Sequence, residues 1–204
     1  MQLKKFASAS VALTAVVAFA AQASAQTPPP VTGPVLPGVC VFNPQRAIGS
    51  STVGQYLNTR LGEISAQAKA ELDADGTSLQ TQEKALEAKH ATMQAAAYQT
   101  QRSALEKTAQ GFQRTAQLRN VQIQLTAQQA EKQVAAAMQP IALQTFQQRG
   151  CSVMIDAQAL YVFVPGADVT DAIIAGLNAK MTSLPMQMVS EQDAITAVQQ
   201  QQGR

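Results

Sequence analysis

Between Pro44 and Pro140 the chain runs for about 95 residues without a proline. That gap constrains the fold more than any other feature. Its residues are mostly Ala, Gln, Leu, Lys, Glu and Thr, and Ala and Gln alone contribute 37 and 30 residues of the 204. Ala has the best intrinsic helix propensity and Gln follows closely, because neither loses much side-chain freedom in a helix. Much of the 46% hydrophobic content is therefore Ala, aromatic residues make up 4%, and Trp is absent. Such a chain cannot easily fill a large β-sandwich, a β/α-barrel or a big α/β core. It is also too apolar and too nearly neutral for a disordered protein.

Apolar spacing orders the proline-free region. Leu57, Leu61, Ile64, Ala68 and Leu72 step by four, three, four and four, and Leu72, Leu79, Leu86 and Met93 then recur every seven. That stripe predicts a long helix packed along a coiled-coil-like seam, with the four-four step locally changing the winding. A second stripe joins Leu105, Ala109, Phe112, Ala116, Ile123, Ala127, Ala130, Val134, Met138 and Ile141. No Gly or Pro marks a turn in residues 94–101 between them, so the pattern allows one long rod or a hairpin bending there. Each hairpin arm would hold about 45 residues and extend roughly 68 Å. Arg149-Gly150 closes the second helix, with Gly where a helix end favours it.

The N-terminus sets the compartment. Lys4 and Lys5 precede an apolar run over residues 6–21, and Ala23-Ser24-Ala25 fits a small-x-small cleavage site. Residues 1–25 read as a cleaved secretory signal peptide, which implies export to the periplasm, away from ATP. Removal of Lys4 and Lys5 leaves 13 basic against 13 acidic residues. No basic stripe points to nucleic acid. Residues 26–37, QTPPPVTGPVLP, form a proline-rich extended linker.

Short apolar runs flank the helical region. GVCVF at 38–42 suits a buried strand ended by Asn43-Pro44, and Thr52 with Gln55 fits a capping box for the first long helix. Residues 152–155 and 160–164 read as two strands of a β-hairpin, and Asp168 as the N-cap of a helix over 169–180. The Gln-rich tail, 181–204, is expected to be flexible. The fold class is α+β, mainly α. A small β-sheet base (38–50 and 150–180) collects strands from both ends, and a long antiparallel helical hairpin (51–149) projects from it.

Catalytic and cofactor motifs are weak. Gly49 to Gln55 has the glycine spacing of a phosphate loop, but Gln55 and Tyr56 stand where Lys and Ser or Thr are needed. Helix capping explains the segment better. His90 is the single histidine, too few for a usual zinc site, and is expected in solvent near the hairpin tip. Asp73 and Asp75 read as a solvated helix face. We expect no enzyme activity, no cofactor and no metal.

The order of these elements resembles the Skp/OmpH family of periplasmic chaperones. The resemblance rests on Val39-Cys40-Val41-Phe42-Asn43-Pro44-Gln45-Arg46-Ala47-Ile48 with Ser51 and Gly54, on Val153-Met154-Ile155-Asp156 and Leu160-Tyr161-Val162, and on Asp168-Val169-Thr170 with Leu177-Asn178. It spans about residues 38–180. It implies a jellyfish-like homotrimer whose body is built from strands of three subunits, here including Val39, Val41 and Phe42. Three hairpin tentacles would hold unfolded outer-membrane β-barrel proteins without ATP. Family tentacles are strongly basic, whereas this mature chain is neutral, so dispersed apolar contacts are the expected grip. If the stripes are the hairpin's own seam, Tyr98, Leu118, Val121 and Leu125 remain for clients. Membrane contact is left open.

Cys40 and Cys151 lie in or beside the base strands. Export favours a bond between them if those strands are neighbours; otherwise they are two buried thiols. A second reading of the whole chain is a structural coiled-coil adaptor of the envelope, bridging fixed partners through the hairpin tip.

Overall fold

The computed structural model describes residues 31–202. The expected signal segment 1–25 and residues 26–30 of the proline-rich stretch lie outside the described residues. In chain order the elements are β1 (Val39–Phe42), α1 (Pro44–Ser50), α2 (Thr52–Ala88), α3 (Ala95–Gln148), β2 (Val153–Asp156), α4 (Thr170–Lys180) and α5 (Glu191–Gln202).

Asn43-Pro44 does more than end β1. The Asn43 side chain accepts the Arg46 N–H at 2.9 Å, and Pro44 occupies the first helical turn, where its missing N–H costs nothing. The pair therefore starts α1, a helix that the strand-ending reading of the dipeptide overlooks. Ser51 joins α1 to α2 and is fully buried. Its hydroxyl donates to the Ile48 carbonyl at 2.8 Å and accepts the Gly54 N–H at 3.1 Å. The cap is Ser51, one residue before the expected Thr52, whose own N–H is taken by Asn178 Oδ1 of α4 at 2.7 Å.

α2 and α3 form a hairpin, not a rod. The chain turns at residues 89–94, just ahead of the expected stretch, through a bond from the Met93 N–H to the Lys89 carbonyl at 2.9 Å. The arms are unequal: α2 has 37 residues and α3 has 54, about 55 and 81 Å at 1.5 Å per residue. α3 continues through Pro140 and ends before Gly150, whose φ of 63° a side chain would resist.

The base places β1 parallel to β2, with Val39 opposite Val153 and Phe42 opposite Asp156. The helical hairpin is the crossover that parallel strands require. Residues 160–164 do not form the expected third strand. The Asp156 carboxylate captures the Gln158 N–H at 2.9 Å and folds residues 157–159 into a 3-10 turn. A second such turn, Pro165–Ala167, carries the chain to the other edge of β1, where the Val169 N–H donates to the Val41 carbonyl at 2.9 Å. Asp168 Oδ1 accepts the Thr170 N–H at 2.8 Å, and α4 begins there. Arg46 of α1 bridges Asp168 and Asp171, both at 2.8 Å.

The core lies where the sheet, the proximal arm and α4 meet. Val53, Leu57, Val134, Ile173 and Leu177 are its most enclosed large side chains. The expected flexible tail needs correction for residues 184–194. Leu184 and Met186 join this core, Val189 and Ala194 are buried, and α5 packs on α3. The Leu, Met and Val residues of the tail, outnumbered by Gln and Ser, supply that anchoring. Among the described residues no helix is long and apolar enough to cross a membrane.

Candidate functional site

The two arms pack tightly near the base and again at the tip. Leu57, Ile64 and Ala68 of α2 and Ala130, Val134 and Met138 of α3 are buried. Farther out the seam opens. From residue 69 to 85 and from 99 to 121 nothing is buried; Leu72 and Leu79 on α2 and Leu105, Phe112 and Ala116 on α3 reach only half-burial. The sequence explains this. A closed two-stranded seam needs two apolar residues per heptad, and Leu72, Leu79 and Leu86 supply one. Their partners in the repeat are Asp75, Gly76, Gln82 and Glu83.

Open clefts therefore lie along the arm. One of 340 Å³ is bordered by Leu86, Ala104 and Leu105, and one of 290 Å³ by Leu79 and Phe112. Sequence reasoning assigned this seam to the hairpin itself and looked for contact residues elsewhere. The one-per-heptad spacing was the signal that the seam stays accessible.

The tip is fastened. Tyr98 is 8% exposed, its hydroxyl donates to Glu87 Oε2 at 3.0 Å, and its ring meets the exposed His90 edge-on at 4.5 Å. The Glu87 hydrogen bond, with lesser help from burial, holds the Tyr98 phenol above its ordinary value of 10.0. Tyr98 thus ties α3 back onto α2. It is not the freely exposed client contact that its place near the tip suggested, because both its ring and its hydroxyl are engaged.

Leu118, Val121 and Leu125 are half-buried on one arc of α3. Gln122 and Thr126, between and beside them, hydrogen-bond to Val189. The arc borders the C-terminal segment rather than open solvent. Among the base residues, Val41 is 1% exposed and lies between Ile155 on one side and Asp168 on the other; Val39 and Phe42 are half-buried. Cys40 and Cys151 are joined by a disulfide, with Cα atoms 5.8 Å apart and a separation of 111 positions in sequence. Among the described residues no cluster of three or more His, Cys, Asp or Glu could hold a metal ion.

A family described as "Outer membrane protein (OmpH-like)" matches residues 38–177. The chain belongs to the OmpH-like family. The match takes in the base, both arms of the hairpin and most of α4. A solved structure from Caulobacter crescentus CB15, described as an outer membrane chaperone (OmpH-like), is 37% identical with a TM-score of 0.76. The similarity covers 78% of this chain and 95% of that one. No curated protein matches. The OmpH-like assignment agrees with a mostly helical fold of long helices rising from a small strand pair.

Proposed function

We propose that this OmpH-like protein is an ATP-independent periplasmic holdase, exported by a cleaved signal peptide, that shelters unfolded outer-membrane β-barrel proteins from aggregation. The observation that carries the reading is the half-open seam of the distal arm. Leu79, Leu105 and Phe112 offer apolar surface in separate small clefts instead of one deep pocket. Contacts of that kind are individually weak and indifferent to sequence, and several arms acting together gain avidity. Clients then leave without fuel when folding into the membrane offers a lower free energy.

The proposal includes a homotrimer. Leu36, Leu143, Val153, Tyr161 and Val162 are exposed at the base, Tyr161 completely. The extended 160–164 segment, unpaired within its own chain, suits a neighbouring subunit, and a surface of this kind marks an interaction site. The reading involves no catalytic step, cofactor or nucleic acid.

The test is substitution of Leu79, Leu105 and Phe112 by Ser in the full chain. Binding of a urea-unfolded outer-membrane β-barrel protein should weaken by about tenfold, with molecular mass unchanged. Undiminished binding would reject the seam as the client surface.

A further inference from the structure

Residues 181–190 form neither helix nor strand, with Leu184, Met186 and Val189 buried and Pro185, Gln187 and Ser190 exposed. They lead into α5, which buries Ala194 and half-buries Ile195, Ala197 and Val198. Where this segment crosses the α3 arm, two side chains grip a single residue. Gln122 Nε2 donates to the Val189 carbonyl at 2.7 Å, and Thr126 Oγ1 accepts the Val189 N–H at 3.0 Å. Both main-chain groups of one residue are thus satisfied, as one rung of a β-ladder would satisfy them, but by side chains one helical turn apart.

The grip is set in advance. Thr126 spends its own proton on the Gln122 carbonyl at 2.6 Å, which leaves a lone pair to accept an N–H. Arg119 Nη1 donates to Gln122 Oε1 at 3.1 Å, so the amide turns its NH2 outward, and Arg119 is itself held by Glu71 Oε2 at 3.2 Å. Nothing in this arrangement reads a side chain. Any extended peptide unit fits it.

We propose that Gln122 and Thr126 form a main-chain clamp for an extended, apolar chain, that Val189 and α5 are its resident occupant, and that an unfolded outer-membrane client displaces them. The inference rests on the holdase reading. The resident is lightly held beyond Met186. Among the described residues, the two Val189 hydrogen bonds are the only ones between residues 184–202 and the rest of the chain, and no ion pair ties α5 to α3. The half-buried Leu118, Val121 and Leu125 flank the clamp, so a client strand would find apolar side-chain contacts on either side of it. Chains destined for a membrane barrel alternate apolar and polar residues, so one apolar face could be buried while the other stays out, as Leu184 and Met186 are buried here with Pro185 and Gln187 exposed.

Two measurements on the full-length mature protein test this. Hydrogen exchange is followed with and without a urea-unfolded, fluorescein-labelled outer-membrane β-barrel protein, whose binding is read by anisotropy. Client binding should speed exchange at the Val189 amide by about tenfold or more. In parallel, Ala194→Asp, which frees α5 without touching the base, should tighten client binding by about tenfold, because the occupant no longer competes. Adding Thr126→Val should reverse that gain. Client bound with Val189 still protected, or Ala194→Asp with released α5 and unchanged affinity, would overturn the clamp alone. Absence of client binding by every protein would overturn the holdase reading together with the clamp. The wild-type exchange arm decides the matter even if a variant folds poorly.

Discussion

At the scale of single residues, Gly54 shows how a weak motif acquires a firm explanation. A Cβ there would lie 1.7 Å from the Ile48 carbonyl oxygen, so α1 and α2 can meet only if residue 54 has no side chain. The second glycine of the spacing that mimics a phosphate loop is the mark of this contact. Gly54→Ala should lower the unfolding free energy by about 3 kcal/mol, read by urea denaturation; a loss within error would mean that the junction is looser than it stands. Tyr98 gives a second residue-scale expectation. Its phenol must stay protonated to donate to Glu87, and its pKa is raised. The stabilisation is therefore fully present below pH 10 and is lost as pH rises through the higher folded value. Ultraviolet titration should show a phenolate step above pH 10 that Tyr98→Phe removes. If the step survives in the variant, it belongs to another tyrosine and the tip contact is not formed. Residues with one strong local preference, such as Gly150 at a helix end, were legible in sequence. Asn43-Pro44 was not, because the same dipeptide ends a strand and starts a helix, and tertiary context decides which function is seen.

At the scale of elements, the seven-residue recurrence of Leu72, Leu79 and Leu86 announced long helices, and the structure supplies them. The third strand was not legible as absent. Leu160–Val164 has the composition of a strand, but it lies between two 3-10 turns, the first fastened by the Gln158 N–H bond to Asp156. The tail was misjudged for a related reason: Gln dominates its composition, yet four well-placed apolar side chains suffice to dock it. The bond between Cys40 and Cys151, 111 positions apart in sequence, ties together the two ends of the helical crossover. Closing a loop of that length stabilises by about 4–5 kcal/mol in the chain-entropy model. A Cys40→Ala, Cys151→Ala double variant should lose stability on that order in urea, with helix content retained at low denaturant. A midpoint equal to the wild type would show that the crosslink contributes nothing.

At the scale of the whole molecule, the arm and the base have opposite characters. The base is closed by a core, a sheet and a disulfide, while the arm leaves its seam half-covered. A rigid adaptor would favour a continuous closed seam. The proposed homotrimer would use the surface around Val153 and Tyr161, where apolar residues stay exposed, and Val41 is enclosed. Replacing Tyr161 and Val162 with Asp should reduce the mass in sedimentation to that of a single chain while the disulfide and helix content persist; an unchanged mass would place the subunit contact elsewhere. The central claim concerns the arms. A urea-unfolded outer-membrane β-barrel protein diluted into buffer scatters light as it aggregates. With the mature protein present and no ATP, scattering should be suppressed, reaching its floor near one assembled trimer per client. Aggregation as fast as in buffer alone would contradict the holdase account.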